Sequence, residues 1–203
     1  MVVHTESEKV KEARESVMEF LLINHPLDCP ICDKSGECDL QDFSFSHGNA
    51  FMRYTEERRT YLDLDMGPVI KKSMNRCIHC TRCIRFGDEV AGIREMVALQ
   101  RGNSTEISTI SGLPLETEYA GCYADICPTG SLTLKDFRFN KRVWFLKKIP
   151  TVCEGCSKGC NMEAHQDAED EKQEDINRSL VHTFISCSSM HIPIYANAEE
   201  RHE

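Results

Sequence analysis

Apolar residues recur every three or four positions over residues 6–23, which predicts an amphipathic helix packed on the protein surface. The positions that form the apolar face are Val10, Ala13, Val17, Phe20 and Leu21. Thr5 and Glu8 have the spacing of a capping box at the start of this helix, and Pro26 ends it.

The apolar pattern then becomes irregular. Residues 26–75 favour loops around glycines, with one short alternating piece at 60–64. Residues 76–90 predict a helix that carries cysteines, and residues 99–115 predict short strands separated by glycine. The pattern up to this point predicts an α+β fold.

The last third of the chain divides into two parts. Residues 132–149 alternate aromatic and basic side chains, which predicts a strand with Trp144 partly buried. After Cys160 the sequence is polar and shows no clear period, so we predict a flexible stretch followed by an irregular tail.

Composition narrows the functional classes. The formal charge is −9, and residues 166–175 carry six acids against one lysine, so nucleic acid is not an expected partner. No apolar run is long enough to span a bilayer, and the N-terminus has no secretory pattern. Twelve cysteines with repeated Cys-x2-Cys spacing therefore indicate a reduced, intracellular, metal-binding chain.

The first set of candidate ligands lies in the stretch HPLDCPICDKSGEC. It consists of His25, Cys29, Cys32 and Cys38. Three thiolates and one imidazole suit a structural zinc ion, whereas four ligands also suit a [4Fe-4S] cluster. The number of ligands leaves both groups open.

The second set begins in NRCIHCTRCIRF, where Cys77, Cys80 and Cys83 have the spacing of the bacterial ferredoxin run and suit iron-sulfur better than zinc. The fourth ferredoxin position is Gly87, so we assign the missing ligand to Cys127, which precedes a proline as in two-cluster ferredoxins. A second complete motif would need three cysteines at positions that carry other residues, which predicts a ferredoxin fold with one cluster deleted. Those residues are Thr117, Ala120 and Tyr123.

The third set lies in TVCEGCSKGC and comprises Cys153, Cys156 and Cys160, with Cys187 as the candidate fourth ligand. A filled cluster, a water-capped cluster, a zinc site and an unfilled remnant all remain open for it.

Other residues with metal-binding or charged side chains have weaker assignments. Cys122 is out of register with the ferredoxin spacing, and we predict a buried free thiol. Three arginines between the cysteines either offset the charge of a cluster and raise its potential or form a solvated face. They are Arg76, Arg82 and Arg85. The remaining histidines are predicted to be surface or packing residues, namely His4, His47, His79, His165, His182, His191 and His202.

Five linked motifs carry a resemblance to a known family. They are HPLDCPICDKSGECDLQD, CIHCTRCIRF, DICPTGSLT, KDFRFNKRVWFLKK and CEGCSKGCN. Their order and spacing, over about residues 1 to 162, resemble the large iron-sulfur subunit (the G subunit) of respiratory NADH:quinone oxidoreductase, complex I. The resemblance implies a His-ligated [4Fe-4S] cluster at the first set, an all-cysteine one at the second, and an additional cluster at the third set as in some bacterial members.

The same resemblance implies a role and a location. The clusters would pass electrons from a flavin subunit towards quinone, in the peripheral arm on the cytoplasmic face of a bacterial inner membrane. The chain would belong to a multi-subunit enzyme and carry no catalytic residue of its own, in agreement with the absence of any phosphate loop, nucleophile elbow or HExxH motif. We expect the family's N-terminal [2Fe-2S] domain to be missing, and the stretch after residue 165 to match nothing in the family.

The expected organisation has four parts. They are a helix with a His-ligated, loop-rich module (1–65), a ferredoxin-like module (66–149), the start of a third cysteine-rich module (150–165) and an acidic, flexible tail (166–203). Two alternatives remain, namely the iron-sulfur arm of a hydrogenase or formate dehydrogenase, and a zinc-binding interaction module.

Overall fold

A computed structural model describes residues 2–110, 112–152, 157, 159, 161–167 and 182–184. The described part has an α+β fold of short helices and three small antiparallel sheets. The α-helices are α1 (Glu8–Leu22), α2 (Asp39–His47), α3 (Arg82–Arg85) and α4 (Ala120–Ile126). The strands are β1 (Leu64–Asp65), β2 (Ile70–Lys72), β3 (Met96–Leu99), β4 (Glu106–Thr109), β5 (Leu132–Leu134), β6 (Leu146–Val152), β7 (Asn161–Asp167) and β8 (His182–Phe184). None of the described helices has the length and apolar character needed to cross a bilayer.

The N-terminal helix is present, but it begins at Glu8, and Ser7 is its N-cap residue. The capping box predicted for Thr5 and Glu8 is wrong, because Thr5 lies before the cap and its carbonyl accepts a hydrogen bond from Arg14 Nη2 at 2.9 Å. The helix starts with little side-chain capping, so its position depends on packing at its other end.

The face of α1 that the apolar period predicted to be buried is largely exposed. Val17 is 57% exposed and Phe20 is 74% exposed, whereas Met18 is buried. Met18 packs with Cys38 and Leu40 at the start of α2, and Leu21 and Leu22 pack beside them. Only the C-terminal half of α1 therefore finds an apolar neighbour in the described part of the chain.

Residues 26–75 contain more regular structure than predicted. Helix α2 has no apolar period to reveal it, since Leu40 is its buried residue while Phe43 and Phe45 are exposed. Of the alternating piece at 60–64, only Leu64 belongs to a strand.

The main core lies between β2, β5 and α4. Strand β2 pairs antiparallel with both β1 and β5. Ile70, Leu115 and Tyr123 are buried to within 1% of full burial. The ring of Phe86 meets Tyr123 edge-on, with centroids 5.1 Å apart. The C-cap residue of α3 therefore lies against α4, and α4 in turn packs on the sheet that contains β2 and β5.

The predicted helix at residues 76–90 is confirmed only in its second half. Residues Arg82–Arg85 form α3, and a π-helical turn at Phe86–Ala91 continues it. Cys77 and Cys80 precede the helix, so of these cysteines Cys83 alone is helical. The short strands predicted for 99–115 correspond to β4, which forms a hairpin with β3.

The single strand predicted for residues 132–149 is wrong. Residues in this range belong to β5 and β6, which lie in different sheets and are separated by turns and a 3₁₀ turn at Val143–Phe145. Trp144 is 56% exposed, and the rest of its ring lies against Gly36. The stretch after Cys160 is not wholly irregular, because β7 pairs with β6 and with β8.

A buried ion pair ties β2 to β4. The ammonium of Lys72, 1% exposed, lies 2.6 Å from Glu106 Oε1 and donates to the Ile107 carbonyl at 2.9 Å. We expect Lys72→Met to lower the free energy of unfolding by about 3–5 kcal/mol, because Glu106 loses its partner. Lys71→Met, which breaks an exposed pair with Asp65, should cost less than about 1 kcal/mol. Urea unfolding measures both, and equal losses would contradict the importance of the buried pair.

Candidate metal centres

The second set comes together in the fold. Cys77, Cys80, Cys83 and Cys127 line one cavity. Cys83 is carried by α3, and Cys127 is the C-cap residue of α4, so the 43 residues between them return the chain to the same place. The lining also includes apolar side chains, among them Ile107 and Leu132, and the cation Lys72. The assignment of Cys127 to the second set therefore agrees with the geometry.

The backbone bends sharply between the clustered cysteines. His79 and Thr81, on either side of Cys80, have φ angles of 54° and 59°. This left-handed region is uncommon for residues other than glycine, and such strained positions concentrate at functional sites. The N–H of His79 lies 3.4 Å from Cys77 Sγ and donates to it. These bends place successive sulfurs around one cavity.

Two thiols of the second set, those of Cys77 and Cys83, resist ionisation. Burial raises the pKa of Cys83 to about 12, and the neighbouring Cys77 and Cys127 add to the rise. Burial likewise raises the pKa of Cys77 to about 11, with Cys127 and Cys80 contributing and the His79 N–H opposing. Like charges in a buried space disfavour one another, so only a bound cation would hold these groups as thiolates.

The first set is delivered by the ends of α1 and α2. The N–H of His25 donates to the Leu22 carbonyl at 3.2 Å, just after α1 ends. Cys29 opens a 3₁₀ turn and Cys38 is the N-cap residue of α2. Burial raises the pKa of Cys38, and the charges of Cys32 and Cys29 add to this, so the three thiols share one neighbourhood.

His25 is suited to be a metal ligand. Its side chain is 8% exposed, and its Nδ1 is buried without a hydrogen-bond partner among the described residues. Burial lowers the pKa of His25 to about 4, Asp28 opposes the shift, and the cations Arg76 and Arg58 add to it. The imidazole is therefore neutral at pH 7, which is the form that binds a metal. His25 also lines a second cavity, together with Cys77 and His79.

A short segment, residues 127–131, connects the two sets. The carbonyl of Pro128 accepts from the Asp39 N–H at 3.1 Å, and Thr129 Oγ1 donates to the Arg76 carbonyl at 2.9 Å. A methyl group added to Gly130 would lie 2.4 Å from Cys32 Sγ. The residues that follow Cys127 therefore lie directly against the first set.

The three arginines differ in position. Arg76 is buried, and its guanidinium donates to the carboxylate of Asp28 at 2.7 and 3.3 Å. Arg82 is 44% exposed and pairs with Asp39 at 3.0 Å, and Arg85 is exposed. A solvated face thus describes Arg85 but not Arg76, while Arg82 is exposed and also lines the cavity of the second set. The spacing along the chain does not reveal these differences.

The positions of the deleted ferredoxin ligands are filled by core packing. Tyr123 is fully buried and Ala120 is 2% exposed. A methyl group added to Gly87 would lie 2.6 Å from the Tyr123 hydroxyl. The space around these residues is occupied by side chains of the main core.

The other predicted ligands and thiols have different outcomes. Cys153, Cys156, Cys160 and Cys187 lie outside the described residues. Cys122 is partly buried against the main core rather than fully buried, and it does not line the cavity of the second set.

His79 Nε2 contacts the Thr105 carbonyl at 3.0 Å, and His165 is buried, so both are packing residues as predicted. Within the described ranges, no three His, Cys, Asp or Glu side chains are close enough together to hold a single metal ion.

Comparison with known families assigns both sets to iron-sulfur regions. Residues 14–53 match the model of the NADH-ubiquinone oxidoreductase-G iron-sulfur binding region. Residues 67–133 match the model of the NADH-quinone oxidoreductase subunit 3 ferredoxin-like domain. The first range contains the first set, and the second range contains the second set.

Individual proteins give the same assignment. The G subunit of the NADH-quinone oxidoreductase of Rickettsia felis is 50% identical over 80% of this chain and 24% of its own length. The mitochondrial NADH dehydrogenase [ubiquinone] iron-sulfur protein 1 of Solanum tuberosum is 49% identical over 75% of this chain and 21% of its own. A solved NAD+-reducing [NiFe]-hydrogenase chain is 29% identical with a TM-score of 0.56, covering 68% of this chain and 60% of that one.

The chain spans about a quarter of the length of the curated relatives it matches. The G subunit of Rickettsia typhi is 45% identical over 188 residues, or 92% of this chain, so the expectation that the stretch after residue 165 matches nothing in the family is wrong. The two family models match this chain in the order in which the two ligand sets occur. The chain belongs to the family of NADH-quinone oxidoreductase G subunits.

Proposed function

We propose that this chain is an electron-relay segment of NADH-quinone oxidoreductase and holds two [4Fe-4S] clusters. One cluster is held by His25, Cys29, Cys32 and Cys38, and the other by Cys77, Cys80, Cys83 and Cys127. The observation that carries the proposal is the single cavity in which Cys127 joins three cysteines from a distant part of the chain. A site built from separated segments is typical of a bound group that the fold encloses.

The residues of the chain fit such a group. When bound, a [4Fe-4S] cluster supplies one-electron transfer at a potential set by its ligands, hydrogen bonds and exposure. Ile107 and Leu132 contribute apolar side chains to the lining of the second set, and the His79 N–H donates to the Cys77 sulfur. At the first set, the neutral imidazole of His25 adds no negative charge, which by itself favours reduction.

The proposal includes the organisation of the chain, its partners and its location. The modules are residues 1–65 and 66–149, with a third cysteine-rich module at 150–165 and a tail at 166–203. The third set, Cys153, Cys156, Cys160 and Cys187, is the candidate site of a further cluster. The partners are other subunits of the peripheral arm, including the flavin subunit, on the cytoplasmic face of the bacterial inner membrane. The chain itself contributes no catalytic residue to the enzyme.

A hydrogenase arm is the second candidate. The likeness to the NAD+-reducing hydrogenase chain supports it. Identities near 50% to G subunits of NADH-quinone oxidoreductases favour the first assignment over this one. A zinc-binding module is the third candidate, and the metal content of the purified chain separates it from both relays.

The test is anaerobic reconstitution of the full chain followed by metal and sulfide analysis. We expect about eight iron and eight sulfide per chain for two cubanes, or about twelve of each if the third set is filled. Reduction should produce two distinct EPR signals. A colourless chain with stoichiometric zinc and no sulfide would show that the relay is wrong.

The partition of ligands predicts a selective loss. Cys80→Ser should remove one EPR signal, because it opens the second set, and leave the signal of the first set. Cys122→Ser is the matched control, since Cys122 does not line the cavity, and it should retain both signals. Loss of both signals in Cys80→Ser, or of neither, would contradict the partition.

The close approach of Gly130 to Cys32 predicts that a substitution in the segment after Cys127 disturbs the first set. Gly130→Ala lies within the segment after Cys127, yet its added methyl would displace Cys32 Sγ, so the EPR signal of the first set should change or disappear. Gly92→Ala strains a left-handed glycine with no atom within 4 Å of the added methyl, and it should leave both signals intact. An unchanged first signal in Gly130→Ala would argue against this contact.

A further inference from the structure

Arg76 is the sequence neighbour of a second-set ligand, but its side chain lies at the first set. It directly precedes Cys77, at the end of a 3₁₀ turn that follows β2. Its guanidinium nevertheless donates twice to the carboxylate of Asp28, which directly precedes Cys29. The arginine side chain is 8% exposed and the aspartate side chain is 26% exposed, so this ion pair is largely shielded from water.

The stem of Arg76 comes close to a sulfur of the first set. The position that a methyl group on Gly130 would occupy lies 2.4 Å from Cys32 Sγ and 3.3 Å from Arg76 Cδ. The Arg76 side chain therefore passes beside Cys32 on its way to Asp28. A buried positive charge this close to a site acts through a low dielectric and is weakly screened by salt.

Both members of the ion pair lie at the first set. Asp28 directly precedes Cys29, and the stem of Arg76 passes beside Cys32. The guanidinium is therefore held next to the segment that carries two ligands of that set.

The Arg76–Asp28 ion pair is not expected to add much to the free energy of unfolding. A buried ion pair gains attraction but loses the hydration of both charges, so its net contribution to folding is often near zero. The loss of hydration does not remove the electric field that the Arg76 charge exerts at the first set. Arg82 and Arg85 are exposed, and solvent screens their charges.

We propose that the charge of Arg76 acts on the cluster at the first set and selectively raises the reduction potential of that cluster. The inference rests on the proposed function, since it requires a cluster at each set. Reduction adds one electron to the cluster and changes no bond, and the nearby guanidinium stabilises the added negative charge. Asp28 holds the guanidinium in place and moderates its effect.

The experiment is an EPR-monitored redox titration of the reconstituted full chain, with iron and sulfide counted for each variant. In Arg76→Gln the ratio of reduced to oxidised first-set cluster at a fixed potential should fall at least tenfold, which is about 59 mV for a one-electron couple. The second-set cluster should shift by less. Arg76→Lys keeps the charge and should restore most of the potential. Arg85→Gln is the exposed control and should move neither.

A second variant changes the sign of the effect. Asp28→Asn removes the carboxylate and leaves the cation unbalanced, so the potential of the first-set cluster should rise. This opposite shift separates an electrostatic role from a general loss of structure. If Arg76→Gln does not retain iron, the direction of the Asp28→Asn shift decides the question.

The outcomes distinguish the inference from the proposed function. A native chain that binds no iron and sulfide overturns the relay itself. Intact clusters whose potentials are unchanged in Arg76→Gln, or equally lowered at both sets, overturn the role of Arg76 and leave the relay standing. A potential that falls or stays constant in Asp28→Asn also overturns it.

Discussion

The packing of residues 127–131 against both ligand sets is the constraint on which the rest of the structure depends. Cys127 faces the second set, while the position after Thr129 has no room for a side chain because the sulfur of Cys32 lies there. Hydrogen bonds from Asp39 to Pro128 and from Thr129 to Arg76 hold the same segment on either side. Displacing this segment would therefore disturb both sites at once.

Several polar and ionisable side chains are buried around this segment, although the fold is small. Thiols that raise one another's pKa and a neutral histidine whose Nδ1 has no partner among the described residues oppose folding, and the enclosed Arg76 would do so without Asp28. The main core of Ile70, Leu115 and Tyr123 offsets part of this cost. A bound cationic group would offset more of it, so ligand binding and folding are expected to be coupled.

Local spacing was the most informative part of the sequence. The Cys-x2-Cys-x2-Cys run and the proline after Cys127 identified four residues that line one cavity, although 43 residues separate Cys83 from Cys127. These signals were readable because the chemistry of a multi-iron site restricts ligand spacing over a few residues.

Periodicity was less reliable. The face predicted for α1 is exposed at Val17 and Phe20, because only part of the helix meets α2. Helix α2 was missed, since it has a single buried side chain and no apolar repeat. The burial of Arg76 depends on its long-range partner Asp28, so no local pattern could separate it from the exposed arginines nearby.

The aromatic packing at Tyr123 also has a consequence for the route of electrons. Where a two-cluster ferredoxin would carry its other redox centre, this chain has a fully buried phenol ring in edge contact with Phe86. Within the proposed relay, electrons would enter and leave this module through a single cluster. Restoring cysteines at these positions would therefore also require repacking of the main core around Tyr123.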